Sequence, residues 1–258
     1  MDIVFIGAGR LATSLATALN EKGHRIKAVY SRTMVSASTL ASRVEADAFD
    51  DLTYLPQKAD AFIVAVKDSA IGMIADQLKV GREDQCIFHT SGSVSMSVFG
   101  GEGNYGVLYP LQTFSMNSRV DLSRVPFYIE GNTDTALNTV RTLAEMLSDR
   151  VVTCSSDERR RLHLAAVFAC NFVNHCYNLA AQLLEEQSMD FADLLPLIDE
   201  TADKVHRLHP RDAQTGPAVR YDQGIIDTHI DLLSDHPDAQ AIYLLMSESI
   251  RQHHNYHI

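Results

Sequence analysis

The chain has no tryptophan, and its four cysteines, Cys86, Cys154, Cys170 and Cys176, form no C-x-x-C pair and no zinc-type spacing. Free thiols of a reducing compartment are the simplest account of them. Positive charge is also scarce. Lys and Arg number 22 against 33 Asp and Glu, a net charge of −11. Without a basic excess there is nothing to displace the counterions of a polyanion, which argues against a nucleic-acid partner. Every apolar run falls well short of the roughly 20 residues of a membrane span. The first strand pattern starts at residue 2, so no signal peptide is expected ahead of it. The expectation is a cytoplasmic protein with no membrane partner. What is present is ordinary for a globular chain: 258 residues, 46% apolar and 21% charged, enough for one large or two modest domains.

The most informative segment is the first. Asp2-Ile-Val-Phe-Ile6 is a short apolar run of strand type, broken by Gly7-Ala-Gly9-Arg-Leu-Ala12. Leu11, Leu15 and Leu19 then recur at helical spacing. Strand, Gly-x-Gly-x-x-Ala, helix is the order of a dinucleotide site. Gly7 permits the tight turn, Gly9 lets a pyrophosphate approach the backbone, and Ala12 keeps the helix close to the sheet. The helix N-terminus offers N–H groups and a positive dipole end to the phosphates. Gly7, Ala8, Gly9, Arg10 and Leu11 are therefore expected to hold the cofactor.

The second strand pattern, Arg25-Ile-Lys-Ala-Val-Tyr30, ends in Ser31-Arg32-Thr33. An NAD site usually carries an Asp or Glu here to hold the ribose hydroxyls. No carboxylate lies between Glu21 and Glu45. Ser31 and Thr33 offer hydroxyl donors, and Arg32 offers a planar fork suited to phosphate. The expected cofactor is NADP.

Strand and helix patterns alternate through the first half. Helices are expected over residues 34–44, 70–78 and 134–147, and strands over 46–49, 61–66, 86–90, 105–114, 125–129 and 151–153. Pro110 interrupts the fourth of those strands, and Asp68 or Ser69 can cap the helix at 70–78. The alternation predicts an α/β fold, a doubly wound, mainly parallel Rossmann-type sheet. From residue 157 the pattern turns helical: 157–187, 191–206, 225–233 and 237–252, with a Gly/Pro loop at 209–224. The boundary is placed at residue 153, giving an NADP-binding domain over 1–153 and an all-helical domain over 154–258. So small a domain with such apolar helices is expected to bury surface against a second copy, as a homodimer, with Thr215-Gly-Pro217 near the cofactor cleft. A compact monomeric bundle is the alternative.

Gly7-Ala-Gly9-Arg-Leu-Ala12, Ser31-Arg32-Thr33, Ala65-Val66-Lys67-Asp68 and His89-Thr-Ser-Gly92 resemble the Rossmann-like NADP oxidoreductases. That group includes pyrroline-5-carboxylate reductase and the deazaflavin-dependent NADP reductases. Leu162-His163-Leu-Ala-Ala-Val-Phe-Ala-Cys-Asn171 and Thr215-Gly-Pro-Ala-Val-Arg220-Tyr-Asp222 are similar to a bacterial family that joins such a domain to a helical domain of unassigned function. The resemblance implies cofactor contacts at Val66 and Lys67. The chain also departs from related enzymes. It has no lysine between Lys79 and Lys204, so the catalytic lysine of the β-hydroxyacid dehydrogenases has no counterpart. Ser155-Ser-Asp-Glu-Arg stands where pyrroline-5-carboxylate reductases carry Ser-Gly-Ser-Gly-Pro.

On the long helix His163, Val167 and Asn171 fall at i, i+4 and i+8, which places His163 and Asn171 on one face. That pair could orient a carbonyl or imine and exchange a proton; both side chains could equally serve a helical interface. His89, Thr90 and Ser91 end a parallel strand, where ligands of open α/β sheets lie, and are expected beside the nicotinamide. Tyr109 and Arg220 are candidate substrate contacts, although Arg220 could instead pair with Asp222. The terminal His253-His-Asn-Tyr-His257 has no acidic or cysteine partner at ligand spacing, so no metal is expected. Two functions remain open: reduction of a small carbonyl or imine compound by NADPH, or NADP binding without turnover, as a sensor or interaction protein.

Overall fold

The computed structural model describes residues 1–82, 84–114 and 120–254. His257 lies outside them. Contacts divide the chain into two compact units, Met1–Ala169 and Cys170–Ile258. The division falls beyond the residue-153 boundary drawn from composition, because the helix that opens at Ser156 is tied by polar contacts to the first unit.

The first unit holds an eight-stranded sheet: β1 (Asp2–Ile6), β2 (Arg25–Tyr30), β3 (Asp47–Phe49), β4 (Ala61–Val64), β5 (Cys86–His89), β6 (Asn104–Pro110), β7 (Phe127–Gly131) and β8 (Val151–Thr153). The order is β3-β2-β1-β4-β5-β6-β7-β8. All neighbours run parallel except β6 and β7. This is the expected mainly parallel, Rossmann-like sheet, with a helical C-terminal region. The order reverses at β1 and β4, which makes the switch point where ligands of such sheets bind.

Both faces are covered, and every residue of β4 and β5 is accordingly buried. Ile3, Phe5, Ile63 and Phe88 face one core, filled by α1 (Arg10–Glu21) and α4 (Asp134–Leu147). Val4, Ile6, Phe62 and Ile87 face the other, filled by α3 (Asp68–Lys79). Each large side chain enclosed this way stabilises the fold by about 1.5–3 kcal/mol. α2 (Met34–Ala41) is capped by Thr33, α4 by Thr133, and α5 (Ser156–Ala166) by a Ser155–Glu158 capping box. α3 departs from its expected start. It begins at Asp68, and neither Asp68 nor Ser69 caps it; the capping position falls on Lys67, with no side-chain bond. Asp68 sits instead in the first turn, where its charge meets the helix dipole.

The long helix is not one α-helix. A π-helical turn, Val167–Phe172, separates α5 from α6 (Val173–Glu185). Its wider winding interrupts the i, i+4, i+8 stripe that put His163 and Asn171 on a single face.

The second unit contains α6, α7 (Leu195–Arg207), α8 (Gln223–Leu232) and α9 (Pro237–His254). Pro196 falls at the start of α7, where a missing N–H is tolerated, so it opens the helix instead of breaking it. Asp222 caps α8 by accepting from Ile225 N at 3.4 Å. His229 Nδ1 meets the Tyr243 hydroxyl at 2.9 Å. Phe172, Leu197, Leu232, Leu244 and Leu245 are exposed. Among the described residues no helix is long and apolar enough to cross a membrane.

Candidate functional site

The β1–α1 turn has the local geometry its glycines predicted. Gly7 sits at φ +115°, and its N–H donates to Tyr30 O at 2.8 Å. A Cβ there would lie 2.2 Å from Ala65 O, so only glycine fits. Gly9 differs. A Cβ on it would meet nothing within 4 Å, and as the N-cap of α1 it offers no side-chain cap to the first-turn N–H groups. Open space faces uncapped donors, with the exposed Arg10 beside them, which fits a pyrophosphate.

At the end of β2, Ser31 N donates to Phe49 O, which fixes the turn. Arg32 is exposed and has no ion-pair or hydrogen-bond partner among the described residues. The Thr33 hydroxyl donates to Ser36 Oγ and accepts from Ser36 N, so it is engaged in the α2 cap. The free donor fork after β2 is therefore that of Arg32. Lys67 lies exposed at the mouth of α3, and Val66 beside it is half-buried.

The segment after β5 holds the densest polar arrangement. His89 has no exposed surface, and its ring stacks on Phe99. Ser91 N donates to its Nδ1 at 3.2 Å, which leaves the proton on the buried Nε2. Burial, aided by the charge of Arg159 and opposed by the Ser95 backbone, pushes its pKa down to about 3. The His89 ring is thus enclosed and neutral, at the end of the strand where the segment His89–Ser91 is expected beside the nicotinamide. Thr90 is held to Val64 O by its N–H. The Ser91 hydroxyl accepts from Ser93 N and Val94 N and shapes the turn.

Next comes Gly92, against which His163 and Tyr109 pack. A Cβ on Gly92 would lie 2.6 Å from His163 Nδ1 and 2.8 Å from Tyr109 Cζ. The Tyr109 hydroxyl meets His163 Nδ1 at 2.9 Å, with the rings edge to face. Burial pushes the Tyr109 hydroxyl up to about 12, so it remains a phenol through the neutral range. A phenol can donate to the Nδ1 of a neutral imidazole or accept from the N–H of an imidazolium. Strand β6 supplies Tyr109 and α5 supplies His163, 54 positions apart in sequence.

One turn before His163, Arg159 is fully buried. It pairs with Glu130 on β7 and donates to Val94 O at 2.6 Å. Neither residue stands out in the sequence, and the capping box that starts α5 is the sole local sign of this region.

Asn171 lies exposed in the second unit, within the π-helical turn. Arg220 is exposed and has no ion-pair partner among the described residues; Asp222, its anticipated alternative partner, caps α8 instead. Tyr221 between them adopts a left-handed backbone at φ +58°. His253 and His254 bond to the carbonyls of Ser249 and Ile250 on their own helix. Among the described residues no group of three His, Cys, Asp or Glu could hold a metal ion.

A switch-point sheet and a glycine turn open to phosphates define the class of Rossmann-type nucleotide-binding folds. The comparisons with known proteins agree. Residues 2–90 match the model of the family described as NADP oxidoreductase, coenzyme F420-dependent. Residues 125–250 match a domain of unknown function, DUF2520. A Bacteroides fragilis protein provisionally named an NADP oxidoreductase is 48% identical, over 97% of this chain and 98% of that one, with a TM-score of 0.92. A Thermotoga maritima protein is 23% identical over 98% of both chains (TM-score 0.73). An imine reductase from Myxococcus stipitatus, solved with NADP+, shares the fold at 17% identity over 98% and 93% (TM-score 0.65). A search of curated proteins found no match. The chain belongs to the family of Rossmann-type NADP oxidoreductases in which this N-terminal domain precedes the DUF2520 domain.

Proposed function

We propose that this chain is an NADP-dependent oxidoreductase that reduces a small imine or carbonyl compound. The observation that carries the reading is the Tyr109–His163 pair seated on Gly92. Gly7, Gly9, Arg10 and Leu11 hold the pyrophosphate, and Ser31 with Arg32 receives the 2′-phosphate. A bound nicotinamide supplies or accepts the hydride. The protein's own task is the proton. His163 gives it to the nitrogen or oxygen of the reduced double bond, and Tyr109 fixes the ring through Nδ1 in either protonation state. Imine reductases and a pyrroline-5-carboxylate reductase among proteins of this fold support the substrate class.

The second unit acts as a self-association surface. Its exposed Phe172, Leu197, Leu244 and Leu245 exceed the scattered apolar residues of a typical monomer surface and support a homodimer.

The test is a screen of imines and carbonyl compounds for NADPH oxidation, with His163→Gln alongside. The expected result is turnover in the parent and a loss of about 10²–10⁴-fold in the variant, at near-constant NADPH affinity. Equal turnover in both would remove His163 from the mechanism.

A further inference from the structure

We infer that Arg159 is a positioning residue that sets the place of His163, an inference that rests on the reading of His163 as the proton carrier. Its guanidinium joins three segments. One nitrogen pairs with Glu130 of β7. The other donates to Val94 O, in the loop after β5, at 2.6 Å and to Ser156 Oγ at 3.2 Å. Glu130 completes the set, accepting from Ser156 N at 3.0 Å and from Ser156 Oγ at 2.8 Å. Ser156 Oγ in turn accepts from Met96 N at 2.9 Å. The loop that presents Gly92 is thus clamped at Val94 and Met96 by the first turn of α5, and that same helix carries His163 back onto Gly92.

Stability alone gives no reason for this arrangement. A buried ion pair commonly contributes no more than well-packed apolar residues of the same volume. What the planar guanidinium adds is fixed geometry, because its donors point in set directions. Four residues of helix, about 6 Å of rise, separate Arg159 from His163, so a tilt of α5 at Arg159 moves the His163 ring directly off Tyr109. The rigid groups that share a wall with this clamp are His89 and Tyr109, both of which feel the charge of Arg159.

The experiment uses the full chain and two variants. Arg159→Met with Glu130→Gln removes both charges together and avoids an orphaned one. Ser156→Ala removes a single node and is the milder change should the double variant unfold. The first readout needs no substrate: nitrogen NMR of the His163 ring follows its tautomer and its hydrogen bond to Tyr109. The second is the split between kcat and KM once a substrate is in hand, with NADPH affinity measured separately. The expected result is a displaced His163 ring-nitrogen spectrum, NADPH affinity within a few-fold of the parent, and kcat lowered by about 10–100-fold at similar KM. Folded variants with an unchanged His163 spectrum would overturn the inference. A displaced spectrum with turnover that His163→Gln also leaves intact would spare the positioning claim and overturn the catalytic reading.

Discussion

Gly92→Ala is the smallest change that tests the site. Gly92 keeps an ordinary backbone conformation, so glycine is required there by space and not by φ. The added methyl would lie 2.6 and 2.7 Å from His163 Nδ1 and Cγ, and 2.8 Å from Tyr109 Cζ. Ordinary contact between such atoms is about 3.5–4.0 Å, so something must retreat by roughly 1 Å. The backbone of Gly92 cannot easily do so, because the Ser91 hydroxyl and the Val94 carbonyl are both bonded. The rings must move, and with them the 2.9 Å bond between Tyr109 and His163.

Overpacking of this size costs about 1–3 kcal/mol of stability. A misplacement of 1 Å in a proton-transfer group costs on the order of 10² in rate. Gly92→Ala should therefore unfold at lower denaturant, bind NADPH as the parent does, and turn over about a hundredfold more slowly. The same substitution in a His163→Ala background should cost less stability, because one of the two clashing rings is gone. Denaturant titration and calorimetry read the first two, and the reductase assay reads the third. If Gly92→Ala matched the parent in stability and kept the Tyr109–His163 geometry, the packing argument would be refuted.

Three further outcomes follow from named groups. Arg32→Ala should weaken NADPH binding by roughly one to two decades, the loss of about 1.5–3 kcal/mol from a charge-assisted bond, and leave NADH affinity unchanged; calorimetry with both cofactors decides it, and equal parent affinities would argue against NADP. Because His89 is held at about 3 when folded and near 6.5 when unfolded, the unfolded chain binds more protons between those values. Stability should then fall as pH drops from 6.5, by about 1.4 kcal/mol per unit from this group. His24, also lowered by burial, adds in the same direction, and His89→Phe should flatten the slope in chemical denaturation. Light scattering at micromolar concentration should report two chains per particle, and Leu244→Glu with Leu245→Glu should shift it towards one.

Much of the fold is legible because its signals are local. The runs Ile3–Ile6 and Ala61–Val64 are continuous and apolar, as strands buried on both faces must be, and helix α4 spans the 134–147 range expected from the sequence. The glycine turn after β1 was legible for the same reason: Gly7, Gly9 and Ala12 act within a dozen residues of one another. The π-helical turn was not, because its residues, Val-Phe-Ala-Cys-Asn-Phe, read as ordinary helix formers. A change of winding leaves no mark on composition, and so the extrapolated face of His163 and Asn171 had no way to register the interruption.

The Tyr109–His163 pair and its supports depend on contacts that sequence spacing does not encode. Tyr109 and His163 are 54 positions apart, and Arg159 meets Val94 across 65. His163 could be proposed from its chemistry, but its partner could not be chosen among Tyr109, Asn171 and the hydroxyls after β5. Gly92 illustrates the limit. Beside Ser91 and Ser93 it reads as an ordinary turn glycine, since nothing nearby reveals that two rings from distant elements close over it. His89 shows what the sequence leaves out: its position at a strand end points to the ligand edge, and only the fold shows that its stack on Phe99 and the bond from Ser91 N enclose the ring. Position along a strand therefore tells which residues reach the ligand edge of the sheet. Which of them remain open there is decided by the loop that follows, and in this chain that loop is set by a guanidinium placed 70 residues later, from His89 to Arg159.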